Sequence, residues 1–115
     1  MTEPTNTTSN LDQAGWIQGP TLAQVPEKSI YFLNHGADGV VIINFNGELT
    51  AFRNACLHQA LPIHAGYLDP DGVLLCPWHN WCYDVTNGDC LTVPGAQLEQ
   101  YALRIADDRV WVKIS

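Results

Sequence analysis

Two short stretches, "NACLHQALPIHAG" and "CPWHNWCYD", each set a cysteine beside a histidine, and together they constrain this chain more than any other feature. The pairs are Cys56 with His58 and Cys76 with His79, so the pattern reads C-x-H, seventeen residues, C-x-x-H. One pair cannot close a coordination sphere; two can. Two sulfurs and two imidazoles suit zinc, but zinc modules usually take both cysteines from one loop and both histidines from another segment. Here each loop supplies one of each. That mixed supply suits a sulfide-bridged two-iron cluster in which one iron takes both thiolates and the other both imidazoles. Zinc and an unligated core remain competing readings of these residues. An all-cysteine cluster built from Cys56, Cys76, Cys82 and Cys90 matches neither of the common four-cysteine ferredoxin spacings.

The segments around the pairs read as short strands. "SIYFLN", "VVIINF" and "ELTAF" are β-branched or aromatic runs separated by "GADG" and by "NG", a hairpin signal. The last of them delivers the chain to Cys56. "YLDPDG" is a turn and "VLLC" a short strand leading to Cys76, after which "WCYDV" and "TNGD" form a further hairpin. "YALRIADDRVWVKIS" gives two strands joined at "ADD", with Leu103, Ile105, Val110 and Val112 as expected packing positions. No helix-length amphipathic pattern and no internal repeat interrupts this, so the expected class is all-β and antiparallel. Both ligand pairs then fall at hairpin tips, in loops spanning about 54–67 and 75–84.

A length of 115 residues suits one domain, expected over 13–115 behind a polar tail over 1–12. The opening "MTEPTNTTSN" has no apolar run that would make a secretory signal, and no stretch is apolar enough for a membrane helix. The expected place is the cytoplasm. Twelve acidic against five basic side chains leave a net charge of -7, which opposes binding to nucleic acid. In a reducing compartment Cys82 and Cys90 are expected as buried thiols rather than a disulfide. His35, in the "NHGADG" turn, is expected to face solvent, and His64, six residues after His58, to stand near the first loop without ligating.

The two loops resemble the Rieske signature, the second especially the C-P-x-H-G-W-x-F/Y-D form of Rieske ferredoxins and ring-hydroxylating oxygenases, with similarity from about residue 33 to 114. The resemblance implies one [2Fe–2S] cluster held by Cys56, His58, Cys76 and His79. It also implies a Rieske fold of small antiparallel sheets, with a cluster-binding subdomain formed by the two loops. Asn80 stands where the family usually has Gly. Pro77 would stiffen the second loop, Trp81 would cover the cluster from water, and Tyr83 would donate its hydroxyl toward a ligand sulfur. Respiratory relatives brace the site with a disulfide between positions that here hold Leu61 and Trp78, so the chain resembles the ferredoxin and oxygenase branch.

What that resemblance implies is an electron carrier and not an enzyme. Its partners would be a reductase, flavin-dependent by expectation, and a terminal oxygenase or similar acceptor. Docking is expected at an apolar collar of Leu57, Pro62 and Trp78 near the loop tips. A small Rieske-like subunit of a larger reductase, such as nitrite reductase, is the alternative, followed by a zinc-binding structural domain.

Overall fold

The computed structural model describes residues 16–36, 38–55, 62–76 and 81–113. The chain runs through β1 (Trp16–Thr21), a single 3-10 turn (Leu22–Gln24), β2 (Ser29–Leu33), β3 (Val40–Phe45), β4 (Glu48–Arg53), β5 (Tyr67–Leu68), β6 (Val73–Leu75), β7 (Cys82–Asp84), β8 (Gln100–Ala106) and β9 (Arg109–Lys113). These form a six-stranded sheet in the order β1-β9-β8-β4-β3-β2 and a three-stranded sheet in the order β5-β6-β7. Every pairing is antiparallel. The expected all-β class is present, with the three strands read from "SIYFLN", "VVIINF" and "ELTAF" as β2, β3 and β4. Among the described residues no helix is long and apolar enough to cross a membrane.

Local chemistry sets the hairpins. Asn46 and Gly47 have φ of 57° and 89° and join β3 to β4 in a tight two-residue turn. This left-handed pair matches the twist of the strands it connects. The "ADD" connection does the same with Asp107 and Asp108, at φ of 56° and 62°. Between β5 and β6, Asp69 Oδ1 accepts the N–H groups of Asp71 and Val73, a side-chain imitation of a backbone turn.

Why β3 reads as an unbroken apolar run becomes clear from its surroundings. Val41 and Ile43 face one core with Phe52, Ile63, Leu74, Cys76 and Tyr83, while Val40 and Ile42 face another with Ala51, Val110 and Val112. A strand buried on both faces has no polar alternation to show. The second core lies within the rolled large sheet: a methyl built on Gly19 of β1 would stand 3.6 Å from Cδ1 of Ile42 on β3. The first core lies between the large sheet and the small one.

Three features depart from the sequence reading. β1 was not foreseen. It is an edge strand carrying Gly19 and Pro20, and its register against β9 shifts between Gln18 and Thr21. Ile105 is 48% exposed rather than packed, because the second core receives only Tyr101 and Leu103 from β8 and ends before the hairpin tip. After "TNGD" the chain returns through isolated bridges, Tyr83 with Cys90 and Asp89 with Gln97, not through a full strand. The expected tail over 1–12 lies outside the described residues.

Candidate metal centre

The small sheet explains how two loops far apart in sequence arrive together. β6 is its central strand and runs toward Cys76. β5 begins where the first loop ends, and β7 begins where the second loop ends. Tyr67 and Cys82 both pair with Leu75, one from each side. The exit of the first loop, the entry of the second and its exit therefore meet at one end of one sheet.

Cys76 sits at that end with no solvent exposure, in the same core as Ile63, Leu74 and Tyr83. Its N–H donates to the Trp81 carbonyl at 2.8 Å, closing the base of the second loop. Trp81 is half-buried against this core, and Tyr83 is fully buried opposite Leu74. Just beyond, Cys82 N–H donates to Thr92 Oγ1 at 2.9 Å, which ties the start of β7 to the 91–95 segment. Cys82 is half-buried. Cys90 is buried, and its Sγ accepts the Val93 N–H at 3.3 Å.

At the base of the first loop, the Asn54 N–H donates to Gly39 O at 3.1 Å, and the Ala55 N–H folds back to Arg53 O at 2.9 Å. The chain thereby turns out of β4. It returns at Pro62, half-buried, and at Ile63, fully buried. Asn54 Oδ1 accepts the N–H groups of both Ile63 and His64 at 2.9 Å. Gly66 then passes so close to β6 that a methyl on it would fall inside contact distance of the Leu75 carbonyl oxygen. Only glycine fits there. His64 is exposed, bonded to Asn54 and stacked on Phe32 with ring centroids 4.5 Å apart. His35 faces solvent, as expected.

Cys56, Leu57, His58, Leu61, Pro77, Trp78, His79 and Asn80 lie outside the described residues, so of the four expected ligands the structure places Cys76. Sequence reasoning passed over Asn54, Gly66 and Thr92. Asn54 stands two residues before Cys56, yet its partners lie nine and ten residues further on, beyond any local pattern.

Charge is distributed unevenly around this centre. Residues 54–103 contain no Lys or Arg, and their acids are Asp69, Asp71, Asp84, Asp89 and Glu99. The four aspartates occupy the turns at the end of the small sheet opposite Cys76. Beside the first loop, Arg53 Nε donates to Asp38 Oδ2 at 2.7 Å. That bond, with the Asp38 charge, raises the guanidinium pKa further above its ordinary value. Burial raises the Tyr101 phenol, with Glu99 adding to it.

Residues 15–102 match the Rieske [2Fe-2S] domain family. The chain belongs to the Rieske family. Human apoptosis-inducing factor 3 is 32% identical over 66% of this Rieske chain, which spans 13% of that protein's length. The ferredoxin component of the naphthalene 1,2-dioxygenase system of Pseudomonas aeruginosa is 28% identical over 87% of this chain and 96% of its own. In fold, the chain is similar to the ferredoxin of carbazole 1,9a-dioxygenase from Nocardioides aromaticivorans IC177, with a TM-score of 0.77 at 19% identity over 87% of this chain and 98% of that one.

The cofactor of this Rieske chain is one [2Fe–2S] cluster. The described residues fit such a group. A cysteine buried among apolar side chains ends the central strand, and the bases of both loops converge on it. A thiol buried where the bases of both loops meet suits a ligand to such a cluster.

Proposed function

We propose that this chain is the ferredoxin component of an oxygenase system. It accepts electrons singly from a flavin-dependent reductase and passes them to a terminal oxygenase in the cytoplasm, without a catalytic site of its own. Cys56 and Cys76 hold one iron, His58 and His79 the other. When bound, a [2Fe–2S] cluster takes up and releases one electron at a time. The rest is the protein's work. Cys76 is held at the floor, Trp81 shields the entrance from water, and Tyr83 donates toward a ligand sulfur.

The observation that carries this reading is the end-to-end likeness to the naphthalene 1,2-dioxygenase ferredoxin component, which leaves little of either chain unmatched. A net charge of -7, with its acids away from the loop tips, steers approach to a basic partner at long range. Leu57, Pro62 and Trp78 form the apolar contact. Leu57→Asp slows electron transfer to the oxygenase about tenfold, equivalent to about 1.4 kcal/mol of association energy, and leaves the midpoint in place. Unchanged transfer kinetics would put the docking surface elsewhere.

A second reading follows from the match to human apoptosis-inducing factor 3, where a similar stretch is a small part of a longer protein. The chain would then serve as the Rieske subunit of a larger reductase. Native purification separates the two. A carrier runs alone and is reoxidised by added oxygenase in stopped-flow measurements, one electron per chain. A subunit travels in fixed ratio with a large flavin- or haem-bearing chain and is not reoxidised by oxygenase.

A further inference from the structure

Asn54 is nearly sealed from solvent, at 2% exposure, and every polar atom of its side chain is engaged. We propose that it is a positioning residue of the cluster centre, a clasp that fixes the span of the first ligand loop. The inference rests on the ligand set proposed above.

Three observations carry it. First, the clasp joins residues that bracket the ligands: Asn54 on one side, Ile63 and His64 on the other, with Cys56 and His58 between them. Second, one side-chain oxygen does the joining. Oδ1 has two lone pairs and both are used by backbone N–H groups, at 2.9 Å each. This fixes the amide orientation, so Nδ2 must be the atom that meets His64 Nδ1 at 2.8 Å. Nδ1 accepts there, which leaves the ring hydrogen on Nε2. The imidazole is also stacked on Phe32 at the edge of the large sheet, so a third element holds the returning chain.

Third, little backbone pairing fixes the loop's far end. β5 has only two residues and two register pairs with β6. Arg53, by contrast, closes a six-pair ladder between β3 and β4. Asn54 follows it directly and is anchored through its own N–H to Gly39 O. Asn54 is therefore the hydrogen-bonded link from the large sheet to the returning chain, beside the Phe32 stack and the burial of Ile63. Partners that orient metal ligands in this way typically govern metal retention by about 10–100-fold.

The test uses the iron-loaded protein and measures iron release to a ferrous chelator together with the EPR spectrum of the reduced state. Asn54→Ala leaves the buried Ile63 N–H and the part-buried His64 N–H without their acceptor and frees the loop's span. Iron release accelerates about tenfold and the EPR lines broaden, while amide-exchange protection of β3 and β4 is retained. Asn54→Asp restores the acceptor for both N–H groups and brings release back toward the wild-type rate. His64→Ala, which leaves both Oδ1 contacts in place, changes release far less than Asn54→Ala. Wild-type release and an unaltered spectrum in Asn54→Ala would overturn the proposal. So would fast release in Asn54→Asp, which carries the test alone if the alanine variant does not accumulate. Failure of the ligand reading is separable, because it would appear in the wild-type protein itself as zinc or no metal.

Discussion

β3 and β4 are joined by six residue pairs in register, whereas β5 and β6 are joined by two and β6 and β7 by three. In the large sheet five or six pairs join β2 to β3, β3 to β4 and β8 to β9, and apolar side chains back both faces where β4 and β8 share only two pairs. The small sheet has short ladders throughout, and polar side chains pin its turns. Asp69 holds the β5–β6 turn, Asp84 Oδ1 accepts from Thr86, Asn87 Oδ1 accepts from Asp89, and Thr92 holds the start of β7. Thr50 Oγ1 donates to Val85 O at 2.7 Å, a buried bond from the large sheet into the small region. The contrast teaches a division of labour. Burial and ladders fix the frame, while the small region shares one core with it and adds turns fixed residue by residue by polar side chains.

The largest effect should come from removing the cluster. Cys76→Ala should lose it and cost the small region its amide-exchange protection over 62–76 and 81–99, while β3, β4, β8 and β9 stay protected. Protection lost evenly across both regions would erase the distinction. Phe52→Ala strikes the joint between them, since Phe52 is fully buried in the core that both sheets share. Denaturant unfolding should show a loss of about 3–5 kcal/mol. A cost near that of a surface change would mean the joint lies elsewhere.

Thr50→Val keeps the shape but leaves the Val85 carbonyl oxygen without its donor, at a cost of about 1–3 kcal/mol. Exchange should quicken in the turn after β7 more than in β4. Equal quickening in both would argue that Thr50 serves the frame alone. Tyr83→Phe should be the mildest change. A hydroxyl donated to a ligand sulfur favours the more negative reduced state, so its loss lowers the midpoint. One hydrogen bond of about 1 kcal/mol corresponds to about 40 mV for a one-electron couple. Voltammetry checks this, and an unmoved or raised midpoint would assign the Tyr83 hydroxyl a packing role only.

The frame was more legible than the centre. β2, β3 and β4 could be read directly because β-branched runs and the Asn46–Gly47 turn are local signals. β1 could not, since Gly19 and Pro20 interrupt it and only its pairing with β9 makes it a strand. Ile105 shares the parity of Leu103 and was expected inside, but parity does not say where a core ends. Trp111 is buried though it points away from the Val110 and Val112 side, where Arg104 pairs with it across the hairpin. At the centre, the Cys/His spacing pointed to the family, which the match over residues 15–102 bears out. The burial of Cys76 needed the fold. Asn54 and Thr92 were invisible because a long-range hydrogen bond leaves no periodicity.

Ligation is tested most directly by pulsed EPR on the dithionite-reduced protein, with iron and acid-labile sulfide counted on the same sample. A Rieske centre held by Cys56, His58, Cys76 and His79 requires two irons and two sulfides per chain, with hyperfine coupling to two histidine nitrogens. Both couplings should be lost or altered in His58→Cys and His79→Cys and should persist in His35→Ala and His64→Ala. An iron–sulfur spectrum without nitrogen coupling, or zinc in place of iron, would contradict it.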